Sequence, residues 1–154
     1  MNECKLSEIN WTKAAVFAGG DRGHYRTDFD CFVGVDRGSL WVLEEKLPLA
    51  LAVGDFDSVT VEEGQLIHAR AQHFVQAQPE KDDTDLELAL LTIFEKNPQA
   101  QVTIFGALGG RIDHMLANVF LPSNPKLAPY MRQIEIEDGQ NLISYCPEGT
   151  SQLE

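Results

Sequence analysis

Along the first 121 residues, short runs of consecutive apolar residues alternate with stretches whose apolar positions recur every three or four residues. The runs at 14–18, 31–35, 49–53 and 102–105 are each closed by a glycine or an aspartate: Gly19-Gly20, Asp36, Gly54-Asp55 and Gly106. They read as buried strands, and a shorter strand is expected at 73–76. Helical spacing is found near 39–46 and at 61–71. It returns from the polar stretch 80–85 to about Asn97, with Leu86, Leu90, Ile93 and Phe94 as its stripe, and again from about Asp113 to Leu121. Continuous apolar strands alternating with helices predict a mostly parallel sheet covered on both faces, a Rossmann-like three-layer α/β domain over residues 1–121.

The pattern changes after Leu121. Pro122, Pro125 and Pro129 punctuate residues 122–132, which read as a linker. Residues 133–137 then alternate with period two, Asp138-Gly139 supplies a tight turn, and 141–146 is the expected returning strand. Residues 133–154 are thus expected to be the first hairpin of a C-terminal β-domain, a truncated start of a β-sandwich.

Composition narrows the function classes. With 44% hydrophobic and 23% charged residues, the 154-residue chain is globular in character and long enough to bury a core without disulfides. Apolar runs fall short of the roughly 18 residues that span a bilayer, and the N-terminus lacks a basic segment followed by an apolar one. Cys4, Cys31 and Cys146 are odd in number and far apart, as reduced thiols in a cytoplasmic protein would be. A net charge of -12 argues against nucleic acid but not against a nucleotide, whose phosphates a metal ion can carry to a carboxylate cluster.

The acids collect at strand ends. In Gly54-Asp55-Phe56-Asp57-Ser58, side chains two apart in extended chain point the same way, so Asp55 and Asp57 either converge on one cation or simply make a turn. In Lys81-Asp82-Asp83-Thr84-Asp85, Thr84 with Glu87 forms a capping-box pattern that accounts for the threonine and some acids, while Lys81 suits a phosphate oxygen beside a metal. In the segment from Gly106 to His114, Gly109 and Gly110 let backbone approach a ligand, and Arg111 suits phosphate. Asp113 there either binds metal or caps the helix. Asp36, followed by Arg37-Gly38, reads alone as an N-cap with a turn, but four strand-end sites bearing aspartate point together to a ligand site at the carboxyl ends of the strands.

These segments, with Gly34-Val35-Asp36-Arg37-Gly38 first and Asn118 last, resemble the thiamine pyrophosphokinase family in their order, over residues 14 to 118. The resemblance implies a Mg²⁺-dependent enzyme that transfers diphosphate from ATP to thiamine, giving AMP and thiamine diphosphate. It implies Asp55, Asp57 and Asp82 as metal ligands and, with Asp113, as catalytic acids. It implies Asp36, Lys81, Thr84, Asp85, Gly109, Gly110 and Arg111 as ATP and phosphate contacts. It also implies a homodimer, with a C-terminal β-sandwich completing the thiamine pocket. Only the opening of that sandwich is expected within these residues, so they alone are expected to turn over thiamine poorly or not at all. A metal-dependent phosphatase or nucleotidyltransferase would share the Asp-x-Asp segment, and a nucleotide-binding fragment without turnover would share all of them.

Overall fold

A computed structural model describes residues 9–20, 23–77 and 84–147. Seven strands form one sheet: β1 (Lys13–Phe17), β2 (Cys31–Val35), β3 (Leu49–Gly54), β4 (His73–Gln76), β5 (Gln101–Phe105), β6 (Ile134–Glu137) and β7 (Leu142–Ser144). Their order is β4-β3-β2-β1-β5-β6-β7, parallel throughout except for β7, which runs antiparallel to β6. The chain moves outward from β1 through β2, β3 and β4, then crosses back to place β5 on the other side of β1. A crevice opens above the strand ends at such a reversal.

Burial on both faces explains the apolar runs. One face of the central strands packs against α3 (Asp85–Lys96) through Leu86, Ala89, Leu90, Ile93 and Phe94. The other packs against α1 (Gly38–Glu44) and α2 (Val61–Arg70) through Leu40, Trp41, Val42 and Ile67. The three layers of the α/β expectation are present. Helix α4 (Ile112–Phe120) differs from the other three: it has no buried residue, and Ile112, Leu116 and Phe120 are exposed. Among the described residues no helix is long and apolar enough to cross a membrane.

Residues 23–29 run over the β5–β6 end of the second face, where Tyr25 and Phe29 pack edge-on against Phe17 and Phe105. Ion pairs tie this strap down. Lys13 and Arg26 share Asp28 at 3.1 and 2.8 Å, and Arg26 also pairs with Glu137 at 3.0 Å.

Two expectations for the C-terminal part are corrected. Residues 122–132, expected as a linker, pack on the sheet domain: they include two 3₁₀ turns with Leu121, Pro122 and Leu127 buried, and Tyr130 stacks on Phe94 of α3 with ring centroids 4.3 Å apart. The hairpin at 134–144 does not stand apart. Ile134 and Ile136 are fully buried because β6 pairs with β5 in register Val102↔Ile134 and Ile104↔Ile136, extending the α/β sheet. A period-two pattern states that one face is buried, not which sheet buries it.

Candidate functional site

The ends of β2 and β3 set the geometry. Asp36, just past β2, adopts φ 49°, and Phe56, just past β3, adopts φ 60°. This bend lets the Phe56 N–H donate to Asp36 Oδ1 at 2.9 Å. Gly54 between them has φ 149°, and a Cβ there would fall inside van der Waals contact with the Asp36 carboxylate. The N-cap reading of Asp36 is therefore corrected: Arg37 occupies the cap position of α1, and the aspartate side chain reaches across to the β3 loop.

Asp36, Asp55 and Asp85 come together. Each offers a carboxylate oxygen, and the three lie within 4.8 Å of one another, all partly buried. They arrive from the ends of β2 and β3 and the first turn of α3, whose N-terminus Thr84 caps by accepting from the Glu87 N–H at 3.1 Å. Burial, then a hydrogen bond shared with Asp85, push the Asp36 carboxyl up to about 8; the charges of Asp85 and Asp55 add to this, against the Phe56 N–H. Three hard oxygen donors, on which burial first and their closeness second hold one proton at neutral pH, fit a divalent cation such as Mg²⁺, which would displace that proton.

Asp57 is exposed and stands outside this group; its N–H donates to Asp55 Oδ1 at 3.1 Å. Phe56, in the left-handed region, breaks the extended geometry that would have aimed both side chains alike. Lys81 and Asp82 lie outside the described residues.

Beside the acids lies a cavity of about 460 Å³ at the topological reversal, walled by Gly19 and Gly20 after β1, Asp36 after β2, Thr84 and Asp85 of α3, and Gly106, Gly109 and Gly110 after β5. Gly109 and Gly110 take φ 88° and 70° and lead through Arg111 into α4, whose N-terminus is the anion-binding end of a helix; within it the His114 N–H donates to Asp113 Oδ1 at 2.9 Å. Arg111, His114, Met115 and Asn118 complete the wall, and the Asn118 amide donates to the Ala107 carbonyl at 3.1 Å. His114 and Met115 were not among the expected site residues; the glycine run before their helix was the signal. Arg111 closes on Asp113 with two hydrogen bonds, 3.1 and 2.6 Å, and the guanidinium holds that carboxyl below its ordinary range. Both are well exposed, so the fork is free to open toward a ligand.

A family model described as thiamin pyrophosphokinase, catalytic domain, matches residues 23–133. A thiamine pyrophosphokinase of Bacillus subtilis is 37% identical over 145 residues, covering 90% of this chain and 66% of the relative. Among solved structures, a thiamin pyrophosphokinase family protein from Enterococcus faecalis superposes with TM-score 0.84 at 46% identity, over 90% of this chain and 67% of the other. A thiamin pyrophosphokinase from Geobacillus thermodenitrificans gives 0.67 at 37% identity, over 85% and 61%. The chain spans about two thirds of the length of these relatives.

Proposed function

The chain belongs to the thiamin pyrophosphokinase family, and from that premise we propose that it forms the ATP- and Mg²⁺-binding part of an enzyme that converts ATP and thiamine into AMP and thiamine diphosphate. The observation that carries this reading is the meeting of three carboxylates from separate elements beside a glycine-walled cavity at the sheet's reversal point. Asp36, Asp55 and Asp85 would hold Mg²⁺, with Asp57 and Asp82 as further carboxylates drawn in by the ligand. The bound ion supplies charge neutralisation along the polyphosphate.

The chain's own groups bind and orient. Gly109, Gly110 and the first turn of α4 present backbone N–H groups to phosphate oxygens. Arg111 exchanges Asp113 for a phosphate oxygen, leaving Asp113 to face the same cleft, and Thr84 and Lys81 supply a hydroxyl and an ammonium. In this arrangement the thiamine hydroxyl oxygen bonds to the β-phosphorus as the bond from that phosphorus to the α,β-bridging oxygen breaks. AMP leaves and the hydroxyl proton passes to the surrounding carboxylates or water. Little covalent work falls to the protein; positioning and fixed charge do most of it. We also infer a cytoplasmic homodimer in which a β-rich C-terminal part completes the thiamine pocket.

Phosphorus NMR on the full-length protein with Mg²⁺, ATP and thiamine tests the reaction. AMP and thiamine diphosphate in equal amounts are expected. ADP with thiamine monophosphate would overturn the reaction type, and free phosphate without a thiamine product would favour a phosphatase.

A further inference from the structure

A second compartment opens on the same rim, one strand further along. The hairpin turn at Asp138, Gly139 and Gln140 stands at the end of β6, and with His24, Leu108 and the glycines after β5 it encloses a cavity of about 290 Å³. Gly106 and Gly109 wall both this cavity and the larger one, so the two adjoin. Gly139 packs close to His24: a Cβ on that glycine would lie 3.5 Å from the histidine Cβ.

His24 is held by design of its neighbours. Its Nε2 lies 2.7 Å from Glu137 Oε2, and its ring meets Phe105 edge-on at 6.2 Å. Glu137 also receives the Arg26 guanidinium through Nε and Nη2, and that hydrogen bond keeps its carboxyl below the ordinary range. An ionised carboxylate on Nε2 favours a proton there, and in the neutral ring that places the acceptor at Nδ1. The acids that suit a cation sit at the ends of β2 and β3, and the anion-binding glycines follow β5. A polyphosphate laid from one to the other carries its nucleoside onward over β5 and β6, about 14 Å from β2 at three strand spacings.

We propose that this compartment takes the purine end of ATP, with His24 in contact with the base and Glu137 positioning His24. The assignment rests on the ATP reading given above. An exocyclic amine donates to Nδ1, the Gln140 amide reaches the base edge, and Leu108 covers a ring face. The thiamine hydroxyl then approaches from the opposite side, past Thr84 and Asp85.

Calorimetric titration of the full-length protein with Mg·ATP, Mg·tripolyphosphate and thiamine tests this. His24→Ala is expected to weaken Mg·ATP about tenfold, the scale of one hydrogen bond to a base, while Mg·tripolyphosphate and thiamine bind as to the native chain. Glu137→Gln is expected to give a smaller loss of the same selectivity, His24→Gln to restore part of the affinity, and the KM for ATP to rise without a change in that for thiamine. Unchanged Mg·ATP affinity, or an equal loss for tripolyphosphate, would overturn the purine assignment while leaving the ATP reading in place. A loss for thiamine alone would put the acceptor in this compartment instead. A native protein that binds no Mg·ATP would remove both readings together.

Discussion

Gly54 is the residue on which the acid group turns. Its φ of 149° and the contact that a Cβ would make with Asp36 bar any side chain. Gly54→Ala is expected to displace the Asp36 carboxylate, costing about 1–3 kcal/mol in denaturant unfolding and weakening Mg·ATP in a calorimetric titration; unchanged affinity would take Asp36 out of the site. Asp36 also sets a pH dependence. In the cation-free chain its carboxyl keeps a proton up to about 8, whereas an unfolded aspartate gives it up near about 4. Folding takes up a proton between those limits, so this group makes stability fall as pH rises through that window. With chelator present, the Tm of Asp36→Asn should fall less between about pH 5 and 8 than that of the native chain; parallel slopes would contradict the assignment. Asp55→Asn should weaken Mg·ATP more than Asp57→Asn, since only Asp55 belongs to the converging group. The sequence disclosed the acids and their strand ends. It did not disclose which would meet, because that depends on left-handed turns at Asp36 and Phe56, where aspartate gives only a weak statistical signal and phenylalanine none.

At the scale of elements, helices were legible from apolar spacing, most sharply where a cap coincided with it. Thr84 with Leu86, Leu90, Ile93 and Phe94 fixed α3, and Thr60 with Glu63 makes a full reciprocal capping box on α2. β6 was legible as a strand but not as a member of the parallel sheet, since the alternation Ile134-Glu135-Ile136-Glu137 fits any half-covered strand. The sheet position has a measurable consequence. Ile136→Ala should cost about 2–4 kcal/mol, the range for a fully buried aliphatic side chain. The β6 amides that bond to β5 should exchange as slowly as those of β5 itself; fast exchange there would restore the detached hairpin. The prolines at 122, 125 and 129 misled for a related reason. Proline ends regular helices, yet Pro122 and Pro129 sit in the first turns of 3₁₀ segments, and Leu121, Pro122 and Leu127 hold this stretch against the core.

At the scale of the molecule, one sheet joins every element, so unfolding should be a single transition by near- and far-ultraviolet circular dichroism alike. Mg·ATP at about a hundred times its Kd should add about 2.7 kcal/mol, a rise in Tm of about 5–10 °C; no rise would remove the rim as its site. The strap over β5 and β6 gives this whole a divided response to ionic strength. A chain of net charge -12 gains from added salt, because the repulsion spread across its surface is screened over a Debye length of about 10 Å at 0.1 M. The strap loses by the same screening, for Lys13, Asp28, Arg26 and Glu137 are what fasten it. Between low and moderate salt the global midpoint should therefore climb while the amides of 23–29 exchange faster. Brine would tighten the body and loosen one buckle, the one beside His24.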